Sequence, residues 1–226
     1  MADQPAVRAL VDAACAADAR DYALKSNALV AEWYPKINQE LYGAEHKPSY
    51  GDILLIFEPD LKVPAFASRN QIHASCSYIP VMKDDYRAML IHELSHVVQA
   101  YPPAPSGTGW IVEGIADYVR HKYFEKDIKV TLRMNEDGRL YGYGETEPYF
   151  HSIQDNRIDL TVNGYQQSYT VASSFLFWLE SKKNPKIVQE LNLAFSQGTY
   201  SPELFRQICG KPLDELWAEF VAASKA

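Results

Sequence analysis

Two histidines four residues apart, His92 and His96, stand in the run His92-Glu93-Leu94-Ser95-His96. On a helix that spacing stacks both imidazoles on one face, within reach of a single metal ion. Glu93 lies beside the first of them, where a carboxylate can face a metal-bound water and take its proton. Zinc accepts neutral imidazole nitrogen and anionic oxygen, and a catalytic zinc keeps one position open. Chance produces the pattern in about 1 % of chains shuffled at this composition. Two histidines do not complete the shell, so a third ligand has to come from elsewhere in the chain.

The run Trp110-Ile111-Val112-Glu113-Gly114-Ile115-Ala116-Asp117-Tyr118 supplies a candidate. On a helix Glu113 and Asp117 again share a face. Glu113 can serve as the third ligand, and Asp117, one turn on, can accept the outer N–H of a ligand histidine and fix its tautomer. The apolar residues around them predict a buried helix, and buried acids need partners. His121, on the same face, is the rival third ligand, although a surface histidine is the commoner role. The His-x-x-Gly-x-x-His continuation of another zinc-peptidase branch is absent, since Val97 to Tyr101 holds neither residue. His73 reads as a strand-face residue, His46 as part of a polar loop, and His151 as a residue that can line the cleft.

A third segment runs from Tyr165 to Glu180. Ala172, Phe175, Leu176 and Leu179 form an apolar helical stripe, which means core. Tyr169 stands near its start. A phenol placed over the metal can donate to the oxyanion of a tetrahedral intermediate. Tyr165, four residues earlier, reaches the same space if the helix starts sooner.

The elements that must position these groups follow from periodicity. Residues 5–42 read as helix, with Pro35 kinking or splitting it. Gly43 to Gly51 is a polar break. Ile53 to Phe57, Lys62 to Phe66 and Gln71 to Ser75 read as short strands. Lys83 to Ala100 reads as the helix carrying His92 and His96, ended by Tyr101-Pro102-Pro103. A second helix opens at Thr108 or Gly109 and runs to about Phe124. Residues 127–164 read as irregular, with weak strand alternation at Ile128 to Leu132. Helices follow over 166–181, 185–197, 201–209 and 212–224, with Pro185, Pro202 and Pro212 at first turns. Helices, a small sheet, then helices again make the class α+β.

Composition bounds the partners. Of the 226 residues, 47 % are hydrophobic and 23 % charged, enough for a sizeable core. The net charge of −7 argues against nucleic acid or an anionic membrane. No apolar stretch is long enough to span a bilayer. The acidic and basic residues between Asp3 and Asp21 exclude a signal peptide there, so a secreted or periplasmic chain is one whose leader has already been removed. Cys15, Cys76 and Cys209 show no C-x-x-C spacing. They read as three buried thiols, with one internal disulfide as the alternative.

On these residues the chain resembles the plant and bacterial basic secretory protein peptidases, a family similar to the gluzincin metallopeptidases. The resemblance runs from about Gln71 to Phe220: Ile72-His73-Ala74-Ser75, His92 to Gln99, Trp110 to Arg120, Tyr169 to Leu179, and Gly210-Lys211-Pro212-Leu213-Asp214-Glu215-Leu216-Trp217. It does not extend to the first 45 residues. It implies a zincin-like α+β fold over 46–226 behind an N-terminal helical extension, 1–45. The zinc ligands it implies are His92, His96 and Glu113, with Glu93 the catalytic carboxylate. The Tyr169 to Glu180 run is similar to the segment of zinc aminopeptidases that holds their catalytic tyrosine. Gln71 to Ser75 falls where such enzymes place an edge strand that pairs with substrate backbone. The chain departs from the family in being acidic and in carrying Ser168 where glycine is expected. The expected function is zinc-dependent hydrolysis of peptide or protein substrates. A zinc amidase acting on a non-protein or glycosylated substrate, and a binding or defence protein that keeps the zinc fold without turnover, are the rivals.

Overall fold

Apolar residues at every second position of Asp52–Glu58 make it a strand with one buried face: Ile53, Leu55 and Phe57 are fully buried, and the residues between them are not. Removing three such side chains from water contributes about 2 kcal/mol each. In the computed structural model, which describes residues 5–82, 85–124, 131–134, 140–143, 164–166 and 168–223, this strand is the second of a four-stranded mixed sheet. The described residues fall into two compact units that divide between Ala100 and Tyr101.

The first unit runs β1 (Ala6–Val11), α1 (Asp18–Tyr42), β2 (Asp52–Glu58), β3 (Ala65–Ser68), β4 (Gln71–Ser75), a short α2 (Ile79–Met82) and α3 (Asp85–Gln99). The sheet order is β1-β2-β4-β3, with β1, β2 and β4 parallel and β3 antiparallel at the edge. Helices α1 and α3 pack on each other and on the strands. The inward residues of α1, Ala23, Val30, Tyr34, Ile37 and Leu41, recur at helical spacing and are buried. That stripe stays in phase on both sides of Pro35, so packing carries the helix through the missing N–H and it does not split.

Three expectations are corrected here. The helix expected over 5–42 starts only at Asp18, and Ala6–Val11 is a strand paired with Asp52–Phe57. The strand expected at Lys62 to Phe66 lies at Ala65–Ser68. Gln71–Ser75 is a strand but not an edge: β2 and β3 occupy both its sides, so it has no free backbone for substrate. The edge beside it is β3.

The cysteines are corrected as well. Cys15 and Cys76 form a disulfide, with Cα atoms 5.9 Å apart across 61 residues. Parallel pairing explains it. Val11 stands opposite Phe57 and Phe57 opposite Ala74, so the chain leaves β1 and β4 at the same end of the sheet. Asp12 N–H donates to Phe57 O and Cys76 N–H to Glu58 O, each at 3.0 Å, which brings the two sulfurs together. Closing a loop of that length is worth about 4 kcal/mol of unfolded-state entropy. We therefore expect the Cys15→Ser/Cys76→Ser pair to lose roughly 2–4 kcal/mol in a denaturant titration. Unfolding the parent without reductant should expose one alkylatable thiol, Cys209, whose pKa burial pushes up to about 11 in the folded chain. Three alkylated thiols under those conditions would contradict the pairing. A disulfide is consistent with an extracellular protein. No helix among the described residues is long and apolar enough to cross a membrane.

The second unit holds α4 (Gly109–Tyr123), an antiparallel pair β5 (Thr131–Met134) and β6 (Leu140–Tyr143), a 3₁₀ turn at Gly164–Gln166, and α5 (Tyr169–Lys182), α6 (Ile187–Ser196), α7 (Glu203–Cys209) and α8 (Leu213–Ala223). The helices lie within a few residues of the expected bounds. The stretch expected to be irregular over 127–164 contains β5 and β6, and His151 lies outside the described residues. Trp110, Tyr165, Phe175, Phe205, Trp217 and Phe220 gather into one aromatic core, with ring centroids 4.5 to 6.3 Å apart. At the surface, Glu219 accepts from both Lys183 and Lys211, which holds its carboxyl below the ordinary glutamate range.

Candidate metal centre

Nearly every described side chain of α3 from Tyr86 to Gln99 is buried; only Arg87 is exposed and His96 half-buried. A helix apolar all round belongs inside a core. Leu90, Ile91, Leu94, Val97 and Val98 have at most 1 % of their surface exposed. Their packing presents His92 and His96 side by side. The ring planes are nearly perpendicular, and the two Nε2 atoms stand 3.2 Å apart. Two nitrogens held by one tetrahedral zinc at its usual bond length lie about 3.3 Å apart, so the spacing fits.

Protonation fits too. His96 Nδ1 lies 2.7 Å from Gln99 Oε1, an acceptor, so Nδ1 carries the proton and Nε2 presents its lone pair toward His92. Gln99 is buried, and its own carbonyl accepts from Tyr42 Oη of α1 at 2.8 Å. No role for Gln99 was expected from the sequence. An amide three residues beyond a candidate ligand histidine, on the same helical face, is the signal that could have found it. Glu93 is 8 % exposed.

On α4, Glu113 is half-buried and Asp117 is 3 % exposed, one turn apart. Arg120 Nη1 lies 3.7 Å from Asp117 Oδ1. His121, one turn further, is buried rather than at the surface, with Nδ1 3.1 Å from Ser173 Oγ. His92, His96 and Glu113 form a group, each offering one donor atom, that could hold a metal ion. Two imidazole nitrogens and one carboxylate oxygen make up the donor set that catalytic zinc accepts, with a position to spare.

The other residues singled out by the sequence fall as follows. Tyr169 is the first residue of α5 and is 54 % exposed. Tyr165 is buried against Trp110 and Trp217, which commits it to the core and raises its pKa through burial. His73 lies in β4, opposite in orientation to buried Ile72 and Ala74, with Nδ1 2.7 Å from Glu58 Oε2 and its ring stacked on Phe66. That is the strand-face role expected of it. His46 stacks on Tyr42 in the loop after α1.

No curated protein matches the chain. The family model for BSP, described as a peptidase of plants and bacteria, matches residues 23–130 and 149–220. The match begins within α1, well before Gln71. The matched residues include the whole of the histidine helix, all of α4 and all of α5. The chain belongs to the BSP family, the peptidases of plants and bacteria, and its α+β fold is accordingly zincin-like.

Proposed function

We propose that the chain is a zinc-dependent peptidase in which His92, His96 and Glu113 hold the metal, Glu93 is the general base, and Tyr169 stabilises the oxyanion. The observation that carries the reading is the geometry of α3: two facing imidazole nitrogens, one with its tautomer set by Gln99, and a buried carboxylate adjacent in sequence. A zinc ion held there supplies Lewis acidity and lowers the pKa of water in its open position. Glu93 accepts the proton of the attacking water and passes it to the leaving amine. Because His96 already gives its outer N–H to Gln99, the histidine left for Asp117 is His92. The Tyr169 hydroxyl donates to charge that develops only in the transition state.

Strand β3 supports a polypeptide substrate. Ser75 N–H donates to Pro64 O at 2.8 Å, and alternation then makes Phe66/His73 and Ser68/Gln71 the next hydrogen-bonded pairs. The N–H and C=O groups of Ala65 and Ala67 therefore point away from β4. No strand pairs with that side among the described residues, and β3 packs on α3. An extended peptide can add there by main-chain hydrogen bonds. The disulfide supports a secreted or periplasmic location.

The test pairs metal content with turnover. Purified protein should carry about one zinc per chain. It should cleave casein or a quenched peptide, lose that activity to a chelator, and regain it on adding zinc. Cleavage that survives complete metal removal would refute the mechanism. Full zinc occupancy with no hydrolysis of any peptide would leave the zinc amidase or the binding protein instead.

A further inference from the structure

Besides contacts further along, such as Tyr118 Oη donating to Glu180 Oε1, helices α4 and α5 make two contacts in the first half of α5. At the first, a Cβ added to Gly114 would come 2.9 Å from Ala172 Cβ and 3.4 Å from Leu176 Cδ1, so the two helices approach closely. At the second, two turns further along α4, His121 Nδ1 lies 3.1 Å from Ser173 Oγ. One contact fixes the distance between two rods; a second fixes the rotation about it. Both residues of the polar pair are buried, Ser173 completely.

The pair leads on to the start of α5. Ser173 has one hydroxyl proton and gives it to Thr170 O at 3.0 Å, so toward His121 it can only accept. His121 is thereby the donor, with its proton on Nδ1. Ser174 Oγ also donates to Thr170 O, at 2.7 Å. The chain of bonds thus runs from α4 through Ser173 to the carbonyl next to Tyr169. Tyr169 is one turn before Ser173, on the same face of α5.

Building on the oxyanion role proposed for Tyr169, we propose that His121 and Ser173 are positioning residues: their hydrogen bond holds the first turn of α5 in register on α4 and so sets the Tyr169 hydroxyl relative to Glu113. Neither touches the reacting atoms. A phenol misplaced by about 1 Å loses much of its contact with a developing oxyanion, while ground-state binding is little affected.

The test is a double-mutant cycle in the zinc-loaded chain, read with a peptide substrate. Tyr169→Phe should lower kcat by about 10², with KM and zinc content near parental. Ser173→Ala and His121→Leu should each lower kcat by about tenfold, again with KM unchanged. His121→Asn, which keeps a donor near the Nδ1 position, should recover most of that loss. In Tyr169→Phe/Ser173→Ala the serine change should cost nothing further, because the hydroxyl it positions is gone. In the metal-free protein, the His121 Nδ1–H resonance should be protected from exchange and lose that protection in Ser173→Ala. Should His121→Leu fail to fold, the smaller Ser173→Ala decides the matter. Fully additive losses in the double mutant, with Tyr169→Phe impaired as expected, would overturn the positioning role alone. Parental kcat in Tyr169→Phe would overturn the oxyanion role on which it rests.

Discussion

Glu93→Gln is expected to keep its zinc and its fold while losing turnover by about 10² to 10⁴, the range for loss of a general base. The substitution is nearly isosteric, which matters because the side chain is 8 % exposed on a helix packed almost all round. An amide fills the same space and still hydrogen-bonds, but it cannot take a proton at neutral pH. Glu93 is outside the His92, His96 and Glu113 group, so no metal ligand is lost. In the proposed mechanism its carboxylate acts on the attacking water, so the effect should fall on kcat with little change in KM. Elemental analysis for zinc and steady-state kinetics on one quenched peptide measure both halves. Stoichiometric loss of metal from the mutant would make Glu93 a ligand and refute the assignment.

The His92, His96 and Glu113 group that could hold a metal was legible because its information is local. His92 with His96, and Glu113 with Asp117, are i, i+4 pairs, and a four-residue spacing reads as one face wherever a helix is apolar enough to be buried. The helices carrying them, α3 and α4, lie close to their expected bounds for the same reason. What was missed is non-local. Ala6–Val11 is a run of Ala, Val and Leu around Arg8 that reads as helix, and only pairing with Asp52–Phe57 makes it a strand. The disulfide depends on that same register, because Cys15 and Cys76 meet only if β1, β2 and β4 run parallel. Whether Gln71–Ser75 is an edge depends on β3 folding back beside it, which its own residues do not encode. His121 sits on the face of Glu113 and Asp117, but its burial is decided by α5, some fifty residues away.

Glu113→Ala is expected to empty the metal site, and Asp117→Asn to weaken it. The two residues are one turn apart on α4, and their contrast separates a ligand from its support. Removing Glu113 leaves two neutral imidazoles to bind a dication. They lose the only anionic donor of the group, so zinc should be lost on dialysis and activity with it. Asp117 is 3 % exposed, and a buried carboxylate of that kind is costly unless it is paired. In the role proposed for it, as acceptor for His92, it would orient the ring and raise its basicity. Replacing it with an amide should cost about 10- to 100-fold in metal affinity or activity. Asparagine retains a carbonyl acceptor, so the ring stays oriented while the charge is lost. Competition titrations against a chromogenic chelator would rank the affinities, with circular dichroism of the metal-free proteins as the control for folding. His121→Ala completes the set: its Nδ1 is bonded to Ser173, and it should keep zinc at close to parental affinity. If instead Glu113→Ala binds zinc as the parent does and His121→Ala does not, the third ligand is His121, two turns along the same helix.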